Sequence, residues 1–190
     1  QAMPGVKFGL AASSRVYMER FNRYSGLFAE RGSVDAPPTM QAGVAVDVRR
    51  DVTMMLDYKR VWFSSVRAMG NASDAAGGFG SDNGPGFGVQ DLNIYKIAFE
   101  WRANPNLTLR AGYSYNNAPV TPRDADLSLM TLGQVQHHFA TGLKVALTRS
   151  IDLELAAMYA PQGKVSGSEL QNPNRNVSVD MSEFEFLMFD

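Results

Sequence analysis

The chain has 190 residues, a net charge of −1 at pH 7, no cysteine and a mean hydropathy of −0.20. The near-neutral charge gives no indication of nucleic-acid binding, and the missing thiols exclude disulfides, cysteine-ligated metals and thiol nucleophiles. No apolar run approaches the about 18 residues that a membrane-spanning helix needs, although a β-barrel would hide its membrane signal in alternation.

Alternation of apolar and polar residues predicts about eight β-strands along the chain. The first is predicted at residues 5–13, with residues 15–20 as its continuation. The others are predicted at residues 39–48, 52–64, 89–103, 107–115, 135–147, 151–160 and 176–189.

The hairpin at residues 89–115 has the clearest pattern. In its first arm the apolar Tyr95, Ile97, Phe99 and Trp101 alternate with Lys96, Ala98, Glu100 and Arg102. Each arm has about ten residues, which exceeds the usual strand of about five or six and is roughly what a tilted strand needs to cross a bilayer. An apolar face opposite a charged face therefore predicts a transmembrane sheet with a lipid side and a wet side.

The connections between the predicted strands alternate in length. Short turns at residues 49–51, 104–106 and 148–150 alternate with long polar loops at residues 21–38, 67–88, 116–134 and 161–175. Strands that run up and down would place all short turns at one end, which is the asymmetry of outer-membrane barrels. The predicted fold class is an all-β, antiparallel, up-and-down transmembrane β-barrel.

Five segments, spread in order over nearly the whole chain, resemble the C-terminal half of the FadL/TodX family of outer-membrane channels. They are NRYSGLFAERGSVDAPP (residues 22–38), GSDNGPGFGVQD (80–91), LTLRAGYSYNNAPV (107–120), VQHHFATGL (135–143) and LELAAMYAPQGKVSG (153–167).

The resemblance implies passive uptake of hydrophobic compounds, either long-chain fatty acids or aromatic hydrocarbons, across the bacterial outer membrane. It implies a monomeric full-length barrel of fourteen strands with an N-terminal plug. Residues 1–190 would form a single β-barrel region, about the last half of the wall, without the plug and the early strands. The implied partners are a hydrophobic small molecule and outer-membrane lipid or detergent, with no nucleic acid, no cofactor and no catalysis.

Four charged residues on the predicted wet face are the candidate ligand contacts: Lys96, Glu100, Arg110 and Lys144. In one interpretation a cation in the lumen meets the carboxylate of a fatty acid. In the other, charges of both signs pair with each other in a solvated barrel interior, which is the rule for such lumens. Asp57 and Lys59 are interpreted in the same two ways.

Two further motifs suggest other chemistry. His137 and His138 are adjacent on a predicted strand, so they point to opposite faces and cannot share a metal site. The glycine-rich GPGFG at residues 84–88 is followed by a strand rather than a helix, which excludes a phosphate-binding loop.

Two alternatives to a channel stay open. A barrel enzyme, such as a hydrolase, would pair His137 or His138 with Asp124 or Asp126 at the loop rim. A soluble β-sheet binding module would bury its aromatic residues in a core. In the channel interpretation the same residues form interfacial girdles: Tyr58, Trp62, Trp101, Tyr113 and Tyr115.

Overall fold

The computed structural model describes residues 3–126, 135–148, 150–169 and 174–189, and it forms one eight-stranded antiparallel sheet. The strands follow each other in chain order, so every neighbour in the sheet is a neighbour in sequence. They are β1 (Val6–Ser13), β2 (Thr39–Asp47), β3 (Val52–Val61), β4 (Leu92–Asn104), β5 (Leu107–Asn116), β6 (His137–Ala146), β7 (Asp152–Ser168) and β8 (Asn176–Phe189). The predicted all-β, up-and-down order is confirmed.

In the part of the chain that the structure describes, helical structure is confined to the long loops. Single turns occur at Asn22–Tyr24, Ala29–Gly32, Phe63–Ser65, Arg67–Gly70 and Pro122–Asp124. The turn at Ala29–Gly32 is left-handed, because Glu30 and Arg31 have φ of 53° and 60° and Gly32 has 84°. No helix in the described ranges has the length and apolar composition to cross a membrane.

The strand register keeps like residues together across the sheet. One row of directly opposed residues runs through all eight strands: Val6, Val46, Met54, Phe99, Ala111, Thr141, Ala157 and Phe186. Because side chains alternate between faces, the row one residue away lies on the other face and includes Glu100 and Arg110. The sheet therefore has an apolar face and a polar face, which is the arrangement that the alternation predicts.

The apolar face is uncovered in the described part of the chain. Phe8 is 67% exposed, Leu10 is 87% exposed and Phe184 is 71% exposed, and Tyr95 and Phe99 are also exposed. Large apolar side chains that would form the core of a soluble sandwich thus lie on the outside of a single-layer sheet. Of the five aromatic residues named in the soluble-module interpretation, Trp101 and Tyr115 are exposed, Tyr58, Trp62 and Tyr113 are half-buried, and none is fully buried.

The long loops pack against each other at one end of the sheet. The loop between β1 and β2 contacts the loop between β3 and β4, where Phe28 and Phe87 lie 5.6 Å apart between ring centroids. The β3–β4 loop in turn bonds to the β5–β6 loop, where Gln90 N donates to Pro119 O over 2.7 Å. We refer to these three connections as the loop layer.

The prediction of a long loop at residues 161–175 is wrong for residues 161–168, and residues 170–173 lie outside the described residues. β7 continues to Ser168 after a β-bulge between Ala160 and Gly163, and its extension pairs with the start of β8. Val165 of this extension and Val179, which lies opposite it on β8, pack against Ala125 of the β5–β6 loop. Burial of these three side chains gives the extended hairpin a partner that the local sequence does not reveal.

Other predicted boundaries differ less. Residues 15–20 do not continue β1 as a strand, although Val16 forms an isolated bridge with Ala36. β3 ends at Val61 and β4 begins at Leu92, inside the predicted ranges. Residues 127–134 of the predicted β5–β6 loop and residue 149 of the predicted β6–β7 turn lie outside the described residues.

Candidate functional site

The polar face carries the four residues that the sequence proposes as ligand contacts, Lys96, Glu100, Arg110 and Lys144. Glu100 of β4 lies directly opposite Arg110 of β5, and Arg110 lies opposite Gly142 of β6. Lys96 is separated from Glu100 by an even number of positions in β4, and Lys144 is separated from Gly142 by an even number of positions in β6. Both lysines therefore share this face. The structure thus collects residues from three strands on one surface.

Three of the four residues belong to a chain of ion pairs. Nε of Arg110 lies 3.0 Å from Glu100 and its Nη1 lies 3.5 Å from Glu154 of β7. Nζ of Lys144 lies 3.3 Å from Glu154 and 2.6 Å from Asp152. The charges of Glu100, Arg110 and Lys144 are therefore compensated within the wall, as the paired-interior interpretation expects.

Lys96 differs from the other three candidates. It lies directly opposite Asp57 of β3 and Ser114 of β5. On the polar face, this row is one row closer to the loop layer than the row of Ala98. Its side chain is exposed, and it forms no ion pair with any carboxylate in the described ranges. His138 of β6 lies in the same row, on the other side of Ser114. Among the described residues, Lys96 is therefore the one of the four candidates without a carboxylate partner.

Small and apolar residues separate the ion-pair chain from the row of Lys96. Met55, Ala98, Gly112, Ala140 and Met158 form one continuous row across five strands of the polar face. A depression of about 280 Å³ lies over this row and extends to Arg110 and Glu154. The polar face therefore has an apolar belt between two charged rows, and the sequence did not predict it.

The two histidines lie on opposite faces of β6. Nδ1 of His137 lies 2.8 Å from the hydroxyl oxygen of Tyr113 on the apolar face. His138 lies on the polar face opposite Ser114, and its Nδ1 is buried without a hydrogen-bond partner in the described part of the chain. No group of three or more potential metal ligands occurs among the described residues.

Asp124, which the sequence proposes as a partner for a histidine, has other partners. Its fully buried carboxylate accepts hydrogen bonds from the Ser73 amide at 2.8 Å and the Thr121 hydroxyl at 2.7 Å, and it pairs with Arg123 at 3.1 Å. Burial alone would raise the pKa of Asp124, but the hydrogen bonds outweigh it and hold the pKa below its ordinary value. The proposed Asp124–histidine pair of a barrel enzyme is not formed.

A second buried carboxylate anchors the loop between β1 and β2. Asp35 accepts hydrogen bonds from the Ser33 hydroxyl, the Met18 amide and Nε of Arg15 at 2.6, 2.9 and 2.7 Å. Its burial opposes ionisation, yet these bonds lower the pKa of Asp35 overall. Arg15 also contacts Glu30, so one guanidinium joins both ends of this loop.

Aromatic residues lie near both ends of the apolar face. Tyr58 and Tyr95 lie 5.2 Å apart toward the loop layer, as do Tyr113 and Phe139 at 5.1 Å. Trp101 lies toward the short turns, where its indole N–H donates to Asp51 over 3.1 Å. Trp62 follows the end of β3, with the Arg60 guanidinium over its ring at 5.6 Å. An interfacial role for these residues stays a prediction.

Comparison with solved structures gives consistent matches. The chain is similar to the P. putida toluene transporter TodX, with 18% identity over 82% of this chain and a TM-score of 0.56. It is similar to the Ralstonia pickettii toluene transporter TbuX, with 16% identity over 85% and a TM-score of 0.54. A Pseudomonas aeruginosa FadL homologue matches 97% of the chain at 10% identity, with a TM-score of 0.60. The fold is that of the FadL and TodX proteins.

This likeness confirms the fold expected from the sequence resemblance. The matched region covers 34% of TodX, 40% of TbuX and 47% of the FadL homologue, so the chain spans less than half the length of each. No family model and no curated protein sequence matches the chain. The neighbours of FadL/TodX fold are named as transporters, a channel and a homologue of FadL rather than as enzymes.

Proposed function

We propose that this chain forms part of the wall of a bacterial outer-membrane channel for passive uptake of hydrophobic compounds. Support comes from the FadL/TodX fold and from the two unlike faces of the sheet. The exposed apolar face, with Phe8, Phe99 and Phe184, would contact outer-membrane lipid. The polar face would line the lumen, and we expect the full-length protein to act as a monomer.

The apolar belt is the observation that carries the proposal of a hydrophobic cargo. A lumen built only for water and ions would be polar across its whole wall. Here Met55, Ala98 and Ala140 present apolar surface in the middle of the polar face, beside the depression of about 280 Å³. An apolar ligand would gain about 25 cal/mol for each Å² of surface that leaves water at this belt.

Lys96 favours a cargo with an ionised head, such as a long-chain fatty acid. Its ammonium group has no ion pair with a described residue, and it lies one row above the apolar belt. A carboxylate at Lys96 would leave the attached chain free to lie along the belt. Glu100, Arg110 and Lys144 would then support the wall through their mutual ion pairs instead of contacting the ligand.

Aromatic hydrocarbons are the second candidate cargo. They are favoured by the likeness to TodX and TbuX, both named as toluene transporters. A neutral hydrocarbon has no group for Lys96, so it would use the apolar belt alone. The two cargoes therefore differ in their dependence on a single charge.

Uptake by intact cells tests the proposal and separates the two cargoes. A strain that lacks the full-length gene should take up both the radiolabelled fatty acid and toluene more slowly if both are cargoes. Complementation with the wild type should restore uptake, whereas Lys96→Gln should restore toluene uptake but not fatty-acid uptake. Lys7→Gln is the matched control. Lys7 of β1 lies on the polar face like Lys96, so this variant removes the same charge from the same face of the sheet at a different strand.

Two results would contradict the proposal. Uptake of both compounds at the wild-type rate in the deletion strain would exclude the channel function. Fractionation that finds the protein outside the outer membrane would exclude the location. Equal restoration of fatty-acid uptake by Lys96→Gln and Lys7→Gln would remove the head-group role of Lys96 while leaving the channel in place.

A further inference from the structure

Gly43 of β2 lies in the same row of directly opposed residues as Lys96. It lies opposite Asp57 of β3, and Asp57 lies opposite Lys96 of β4. A Cβ atom added at Gly43 would overlap Oδ1 of Asp57 and lie 3.1 Å from its Cγ. The carboxylate of Asp57 therefore occupies the space that any other residue at position 43 would fill with its side chain.

This position of Asp57 explains why Lys96 has no ion pair with a described residue. Opposite charges that face each other across neighbouring strands normally attract and pair. The charged pairs elsewhere on this face do so, with 3.0 Å between Arg110 and Glu100 and 3.3 Å between Lys144 and Glu154. Asp57 and Lys96 are opposed in the same way, yet the carboxylate lies over Gly43 on the far side and forms no ion pair with the lysine.

The backbone gives no other reason for glycine at position 43. Its φ is not in the left-handed region. Among the described glycines, those with a positive φ are Gly5, Gly32, Gly80 and Gly88. Glycine inside a strand is destabilising relative to alanine and often marks a place where another group approaches closely. Here the approaching group is the Asp57 carboxylate.

We propose that Gly43 is a specificity-determining residue, which makes room for Asp57 and so keeps Lys96 free for the ionised head of the cargo. The inference rests on the proposed function, because it concerns the same lumen and the same cation. A larger residue at position 43 would displace the carboxylate from β2. The residue directly opposite Asp57 on its other side is Lys96, so the displaced carboxylate would compete with the ligand for it.

Binding by the purified full-length protein in detergent tests this inference with two ligands. One is a long-chain fatty acid above its pKa, and the other is its methyl ester, which has the same chain and no charge. Gly43→Ala should weaken binding of the acid about two- to fivefold, the range expected when an exposed ion pair competes. Binding of the ester should not change. Adding Asp57→Asn to Gly43→Ala should restore the affinity for the acid.

Gly9→Ala is the matched control. Gly9 lies opposite Gly43 on β1, and an added Cβ there would meet no atom within 4 Å. This variant should bind both ligands like the wild type. Thermal unfolding of each variant shows whether a binding change comes from a loss of folded protein.

The outcomes separate this inference from the proposed function. Wild-type affinity of Gly43→Ala for the acid, together with weak binding by Lys96→Gln, would overturn the role of Gly43 and keep that of Lys96. Equal weakening of acid and ester by Gly43→Ala would overturn it too, because charge would then be irrelevant. Failure of Lys96→Gln to weaken acid binding would overturn both assignments.

Discussion

The carboxylate of Asp124 accepts a hydrogen bond of 2.8 Å from the backbone amide of Ser73, which lies 51 residues earlier in the chain. This bond joins the β5–β6 loop to the β3–β4 loop inside the loop layer. Gly88, with φ of 67°, packs directly against the same carboxylate, so a side chain there would meet Asp124. Asp124 is thus the point at which two long loops are fixed to each other.

Replacement of Asp124 by alanine should loosen the loop layer without unfolding the sheet. The buried amide of Ser73 and the hydroxyl of Thr121 would lose their acceptor, at a cost of about 1–3 kcal/mol. We expect faster hydrogen exchange at residues 71–75 and unchanged exchange in β4 and β5. Asp74→Ala is the control, because Asp74 is 57% exposed and its pair with Arg123 is long, at 3.6 Å. Equal effects of the two variants would contradict this role.

The buried carboxylates of Asp124 and Asp35 predict that the loop layer is sensitive to acid. The pKa values of Asp124 and Asp35 are lowered in the folded protein, so each carboxylate stabilises the folded state above its unfolded pKa of about 3.9. That contribution is lost as the pH falls through the lower folded pKa. Limited proteolysis of the loops should therefore be constant from about pH 7 to pH 5 and accelerate below about pH 4.

The acid sensitivity has an internal control. Asp124→Asn cannot titrate, so its β3–β4 and β5–β6 loops should have the same protease sensitivity at all of these pH values. The β1–β2 loop of this variant should keep its acid sensitivity, because Asp35 is unchanged. Equal acid sensitivity of all three loops in this variant would assign the effect to other groups.

The sequence was sufficient to predict which residues share a face of the sheet, but not which of them form ion pairs with each other. Alternation alone places Glu100, Arg110 and Lys144 on one side, because side chains in a strand have a period of two. Which carboxylate meets Arg110 depends on the register between β4, β5 and β7, and residues 10 and 44 positions away supply the two partners. The position of the Asp57 carboxylate over Gly43 depends likewise on the register between β2 and β3, because the two residues are distant in sequence.

The errors in the predicted fold have a related cause. β7 contains Pro161, Gly163 and Gly167, which are loop signals in the sequence. The β-bulge between Ala160 and Gly163 accommodates this region, and contact of Val165 with Ala125 stabilises the extension.

Asp124 had a sequence signal that was missed: Thr121 three residues earlier, with Pro122 between them, fits the spacing of a capping box.

The pairing between Glu100 and Arg110 should contribute only modestly to stability. Both side chains are partly exposed, at 25% and 40%, so water and salt weaken their attraction. In a double-mutant cycle with Glu100→Gln and Arg110→Met we expect a coupling energy of about 0.5–1 kcal/mol, measured by urea unfolding in lipid vesicles. It should decrease when the salt concentration is raised. A coupling that is independent of salt would mean that the pair is not open to water.

A charge placed on each face in turn tests whether the apolar face contacts lipid. Phe99 lies on the apolar face of β4, between Trp101 and Tyr95, and Ser114 lies on the polar face of β5. In a bilayer Phe99→Arg should destabilise the protein by about 2–4 kcal/mol, since an arginine near the midplane loses its hydration. Ser114→Arg should change the stability by less than about 1 kcal/mol, because a residue on the polar face would stay hydrated in the proposed lumen. In a water-soluble sheet the order would be different: Phe99 is already 43% exposed, so an arginine there would be hydrated and nearly neutral in its effect. Unfolding of both variants in lipid vesicles distinguishes these cases, and a small effect of Phe99→Arg would contradict the membrane location of this face.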